Sequence, residues 1–172
     1  MLMRIFIAFC FPEMIKKKIF NKIEDISREY LGSYTTYDNL HLTLHYIGEI
    51  DNSLLNRVIM EVKRIVFEEI EIIVTGINSF KNSESKRLLH LEVKKSQELI
   101  NLHKRLMIAL KKAGVKIENE DFTPHITLGR KVEIPIEKVK NLQIENLIFS
   151  VKKISVMESA RVGKDLVYSE LA

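Results

Sequence analysis

An α+β fold of two similar lobes, related by a pseudo-twofold axis with a cleft between them, is what this sequence predicts, on three observations. Strand-like alternation and helix-like spacing take turns along the chain. The order of the first half recurs in the second. A polar strand pattern, His-x-Thr, occurs once in each half, at His41-Leu42-Thr43-Leu44 and His125-Ile126-Thr127-Leu128, 84 residues apart in a chain of 172.

Residues Arg4 to Phe9 are β-branched and aromatic and read as a strand. From Pro12 the apolar residues Ile15, Ile19, Ile23, Ile26 and Tyr30 recur every three or four positions, the spacing of an amphipathic helix. After Gly32, Leu40 to Ile47 alternates, with Leu42, Leu44 and Tyr46 on one face and His41, Thr43 and His45 on the other. Leu54 to Val66 carries a second helical stripe, and Ile70 to Phe80 reads as a strand. The second half begins again with a strand, Arg87 to Val93, and an apolar stripe from Leu99 to Ala113 that Gly114 closes. Phe122 to Gly129 alternates in turn, with His125, Thr127 and Gly129 sharing a face. A short helical stretch (Ile134 to Leu142) and strands at Ile144 to Phe149, Ile154 to Met157 and Leu166 to Tyr168 finish the chain. Each strand-helix-strand unit leaves an apolar sheet face open. Packing two of them about a pseudo-twofold axis brings both polar strands to one cleft.

Composition narrows the classes. With 46% hydrophobic residues the chain has enough apolar material for a core, and six Gly and three Pro spread along it offer no linker, so residues 1–172 are expected to form a single domain. The lone Cys10 excludes an internal disulfide or a thiolate zinc cluster and is expected to be a buried free thiol. The apolar run Ile5 to Pro12 is too short for a membrane span and lacks a cleavage site, so a soluble, cytoplasmic monomer without membrane contact is expected. A formal charge of +4 fits a polyanionic partner, though a solvated lysine-rich surface would give the same excess.

On a strand, residues i and i+2 share a face, so each motif sets an imidazole beside a hydroxyl. Histidine takes and gives a proton near neutrality, and two of them facing one cavity allow one acid and one base. Across a phosphorus atom, one would deprotonate water while the other protonates the departing sugar oxygen, with the threonine hydroxyls donating to the non-bridging oxygens. Two imidazoles at one site also push each other's titrations apart. A metal is not expected. His41 and His45, as strand residues four apart, lie about 13 Å from each other, too far for one ion. No Gly-rich phosphate loop, G-x-S-x-G elbow or dinucleotide fingerprint is present, so no cofactor is expected either. His90 and His103 read as structural or solvated residues.

The segments Asn39-Leu40-His41-Leu42-Thr43-Leu44, ending in Ile47-Gly48-Glu49, and Phe122-Thr123-Pro124-His125-Ile126-Thr127-Leu128-Gly129-Arg130 resemble the paired signatures of the 2H phosphoesterase superfamily. The branch they look like is the RNA 2′,3′-cyclic phosphodiesterases, historically called 2′-5′ RNA ligases. Arg4 to Phe9, Glu158-Ser159 and Tyr168 resemble that family's first and closing strands, so the likeness spans the chain. It implies two antiparallel sheets with helices outside, and metal-free hydrolysis of a cyclic phosphate on an RNA end to a 2′-phosphomonoester. Reversible 2′-5′ ligation is also within its scope. Carried over motif by motif, His41 resembles the general acid, His125 the general base, and Thr43, Thr127 and Arg130 the phosphate ligands. Strict alternation places Arg130 on the face opposite His125, so its role requires a strand-end twist or a bulge. His45 departs from the family, which more often has Lys or Arg there, and is expected at the surface or the cleft rim. The reading from another class is a non-catalytic RNA-binding module using the same cleft; it needs no acid-base pair, and the intact set of two histidines and two threonines favours the enzyme.

Overall fold

The computed structural model describes residues 1–83 and 85–172. Among them lie two antiparallel sheets. In chain order the elements are β1 (Met3–Cys10), α1 (Glu13–Ser27), β2 (Ser33–Tyr34), a 3-10 turn (Tyr37–Asn39), β3 (His41–Ile50), α2 (Asn52–Lys63), β4 (Ile70–Lys81), β5 (Arg87–Val93), α3 (Gln97–Ala113), β6 (His125–Val132), α4 (Ile136–Val139), β7 (Leu147–Val151), β8 (Ser155–Val162) and β9 (Asp165–Glu170). One sheet runs β3-β1-β8-β9 and the other β2-β6-β5-β4-β7. Apart from the extra edge strand β2, the two orders correspond, with β1 and β3 in the place of β5 and β6. Each sheet nevertheless takes strands from the other half of the chain. β4 joins β5 and β7, while β8 returns to lie beside β1 and carries β9 on its outer edge.

The exchange follows from β1 and β5. Ile5 to Phe9 is apolar without a break and buried throughout, so β1 needs a strand on each side and cover on both faces. Ile5, Ile7 and Phe9 enter the main core, whereas Phe6 and Ala8 meet Met157 and Tyr168 on the other face. Leu89 and Leu91 of β5 are likewise fully buried. The helices bury the predicted stripes: Ile15, Ile19, Ile23 and Ile26 on α1, Leu55, Val58 and Val62 on α2, and Leu99, Leu102, Leu106 and Leu110 on α3. Asp51 and Ser96 cap α2 and α3 by accepting from the Leu54 and Leu99 amides, and Gly114 ends α3 at φ 101°. Among the described residues no helix is long and apolar enough to cross a membrane.

Several boundaries differ from expectation. The second helix stops at Lys63 and leaves Val66 exposed. β6 starts at His125, since Pro124 has no amide to donate. β7 lies three residues later at its start than Ile144, and α4 is a single turn. β2 and the 3-10 turn carry too little pattern to be read. Cys10 is exposed at the end of β1 instead of buried.

Two bulges matter for the site. Along β3, Ala8 pairs with Thr43 and Ile7 with His45, so Leu44 is an extra residue. His41, Thr43 and Tyr46 therefore share the face of Phe6 and Ala8, while His45 falls on the face of Ile7. This reverses the expected places of His45 and Tyr46. Along β6, His90 pairs with Thr127 and Leu89 with Gly129, which makes Leu128 the extra residue. His125 and Thr127 keep one face, Gly129 moves to the core face, and Arg130 turns back toward the histidine side. A Cβ on Gly129 would lie 3.0 Å from Tyr34 Cδ1 and 2.9 Å from Val132 Cγ2, so the close approach of β2 requires glycine here.

Candidate active site

His41 and His125 are the first residues of β3 and β6, strands from different sheets that run close enough to touch. Their local geometry repeats. Nδ1 of His41 is 2.6 Å from the carbonyl of Asn39, and Nδ1 of His125 is 2.8 Å from the carbonyl of Thr123, in each case two residues upstream. A carbonyl only accepts, so both rings carry their proton on Nδ1 and leave Nε2 free for proton exchange. Nε2 of His41 stands 2.9 Å from the Thr43 hydroxyl, which can donate to the neutral ring or accept from the charged one.

Neighbouring rings fix the two imidazoles. His41 packs 5.0 Å from Phe6 and 5.2 Å edge-on from Tyr168. Asn39, buried, donates from Nδ2 to the Leu166 carbonyl (2.7 Å) and accepts from the Tyr168 amide (3.1 Å), tying β9 to the start of β3. His125 meets Phe80 and His90 edge-on at 5.4 and 5.3 Å, and His90 stacks on Phe80 at 4.2 Å.

Burial is the main influence on His41 and pulls its pKa below the ordinary value; the Asn39 carbonyl opposes this, and the charges of Arg130 and His125 add to it. Burial, then the charge of His125, likewise favours a neutral His90, whose Nδ1 has no hydrogen-bond partner among the described residues. The Tyr168 phenol is held up by burial, with Arg130 acting against it.

Two depressions open at these strands. One, about 510 Å³, is lined by His41, Thr127, Arg130 and Tyr168 among others; the second, about 680 Å³, holds Thr43, His125, Tyr46 and Phe80. Each thus combines the histidine of one motif with the threonine of the other. All five residues singled out from the sequence face these two depressions. His45 lines the rim of the larger one. His103 is buried and stacks flat on Phe122 at 4.2 Å, a packing role, while His90 proves to be a direct neighbour of His125. Among the described residues no group of three His, Cys, Asp or Glu side chains could hold a metal ion.

Sequence reasoning missed Asn39, Tyr46, Phe80 and His90 as parts of this site. Only Asn39 left a trace, as a polar residue two positions before His41. The others reach the site through pairing and bulges that no local pattern marks.

A two-sheet fold whose touching strands β3 and β6 each open on a His-x-Thr motif has the architecture of a 2H phosphoesterase. The family model of the 2′-5′ RNA ligase superfamily matches residues 12–163, and the chain belongs to that family. It is 32% identical over 157 residues to an RNA 2′,3′-cyclic phosphodiesterase of Thermotoga maritima, covering 90% of this chain and 82% of the relative. It is 28% identical over 179 residues to one of Archaeoglobus fulgidus, covering 98% of each. In fold it is similar to the crystal structure of E. coli LigT complexed with 3′-AMP, with a TM-score of 0.80 at 22% identity over 100% of this chain and 97% of that one.

Proposed function

We propose that this protein opens terminal 2′,3′-cyclic phosphates on RNA, leaving a 2′-phosphomonoester and a free 3′ hydroxyl, as a single domain working without metal or cofactor. The observation that carries this reading is the matched pair of imidazoles. Each donates Nδ1–H to a backbone carbonyl two residues upstream, which leaves Nε2 for proton exchange, and each lines a depression together with the threonine of the other motif. The names of the Thermotoga and Archaeoglobus relatives supply the substrate class.

In the proposed step, Nε2 of His125 takes a proton from water as its oxygen bonds to phosphorus. The bond from phosphorus to O3′ breaks on the opposite side, and Nε2 of His41 gives its proton to O3′. One proton is taken and one given, so the site returns to its starting charge with the two ring states exchanged. Thr43 and Thr127 donate to the non-bridging oxygens, and Arg130 offsets their growing charge. His41 must be charged to act as the acid although burial disfavours that in the free protein. The anionic phosphate is what restores it, since an opposite charge at close range favours the charged ring. With an RNA 5′ hydroxyl in place of water, the same displacement in the same direction makes a 2′-5′ link and frees the 3′ hydroxyl, and its reverse cleaves that link. A binding module would need cations here and no proton donor or acceptor.

The test is incubation with EDTA of an oligoribonucleotide ending in 2′,3′-cyclic phosphate. Wild type should yield the 2′-phosphate, and His41→Ala and His125→Ala should each lose about 10² to 10⁴ in rate. Folded wild type that binds but does not turn over the RNA would favour the binding module. Full activity in either variant would overturn the roles given.

A further inference from the structure

The two depressions differ in charge. Four basic residues line the one that holds His41, namely Arg130, Lys131, Arg161 and Lys164, against the single acid Asp165. The one that holds His125 has Lys116 against Glu118 and Asp121, and Lys116 is already 3.5 Å from Glu118. Among the described residues none of the four cations on the His41 side makes an ion pair. Arg161 and Lys164 stand at the β8–β9 turn, which Gly163 makes at φ 64°. That hairpin is anchored to the site, because β9 is the strand Asn39 holds beside His41.

We infer that the RNA strand upstream of the cyclic phosphate runs over the His41 depression, with its phosphates against Arg161 and Lys164, and that the His125 depression is left to the nucleophile. The inference rests on the proposed reaction but is carried by charge. Several cations lining one depression without acidic partners attract a polyanion, and a lining with more acids than bases repels it. It agrees with the chemistry too. In-line displacement places the leaving O3′, hence the ribose and the chain attached to it, on the side of the acid, and the attacking oxygen on the side of the base. The same asymmetry makes water a better fit than a second RNA strand on the His125 side, so hydrolysis is favoured over ligation.

The test uses Arg161→Gln combined with Lys164→Gln, with Lys17→Gln combined with Lys18→Gln as a control that removes equal charge from exposed positions lining neither depression. Turnover is compared on 2′,3′-cyclic AMP, which has no upstream phosphate, and on a short oligoribonucleotide ending in 2′,3′-cyclic phosphate. Binding of the oligonucleotide is followed by anisotropy across salt concentrations. The hairpin variant should lower the ratio of kcat/KM for oligonucleotide over mononucleotide by on the order of tenfold, and flatten the salt dependence by about 0.7 in slope for each phosphate that is no longer neutralised. The control should not. An unchanged ratio and slope, or a fall in both caused by Lys116→Gln instead, would overturn the inference. Wild type that turns over neither substrate sinks the proposed reaction, and the anisotropy slopes then still decide where the strand lies.

Discussion

Asn39 presents its carbonyl to Nδ1 of His41 at 2.6 Å while its own side chain grips the β9 backbone that carries Tyr168. One buried residue therefore sets the tautomer of the candidate acid and the place of the ring beside it.

Asn39→Ala keeps the carbonyl but removes both side-chain hydrogen bonds to β9. Leaving the Leu166 carbonyl and Tyr168 amide without partners should cost about 1 to 3 kcal/mol in unfolding free energy. Tyr168 should also be released from the edge of His41, lowering kcat more than it changes KM. Urea denaturation and steady-state kinetics read the two effects, and a stability loss with kcat intact would show that the backbone alone orients His41.

Thr43→Val and Thr127→Val remove one donor each at nearly constant volume. If both hydroxyls stabilise charge on the non-bridging oxygens, each variant should lose about 10² or more in kcat, and the serine variants should retain much of it. Equal losses in KM with kcat unchanged would mean that the hydroxyls only bind.

Gly129→Ala should force Tyr34 or Val132 to move, since the new Cβ would stand 3.0 Å and 2.9 Å from them. Overpacking of this kind costs about 1 to 3 kcal/mol. Because the adjacent bulge is what turns Arg130 into the site, the variant should also reproduce the kinetic defect of Arg130→Gln. A thermal melt beside the kinetics of both variants checks this, and an unstable variant with normal kinetics would separate the bulge from the function of Arg130.

The pH dependence follows from burial. His41, His90 and His103 all have pKa values held below the ordinary histidine value, by burial first. The unfolded chain therefore binds more protons than the native state as pH falls through about 6.5, so this contribution to stability is complete above that value and is lost below it. Denaturation midpoints should drop between neutrality and mildly acidic pH. In NMR titration, His41 should have its midpoint below about 6.5 and move up when a phosphate anion is added. A midpoint that stays low in the presence of the anion would argue against its role as acid.

Much of this protein was legible in its sequence because the informative signals are local. The strand-like run Arg87 to Val93 and the stripe from Leu99 to Ala113 closed by Gly114 located β5 and α3 nearly to the residue. The His-x-Thr spacing put each imidazole and hydroxyl on one face, and the twin motifs tied the chain to its family. Alternation failed at Leu44 and Leu128, where one extra residue each switches the faces of the side chains that follow, taking His45 off the face of His41, bringing Tyr46 onto it and turning Arg130 back to the site.

The amino-acid order by itself determined the elements, the apolar faces and the chemical groups, since periodicity and side-chain type act over a few neighbouring residues. Only the tertiary structure decided which strands share a sheet, where the bulges fall, and that Asn39, His90 and the β8–β9 hairpin close around the two histidines. Those outcomes depend on pairing between segments far apart in the chain, where the burial of β1 and β5 on both sides is satisfied by strands from the opposite half.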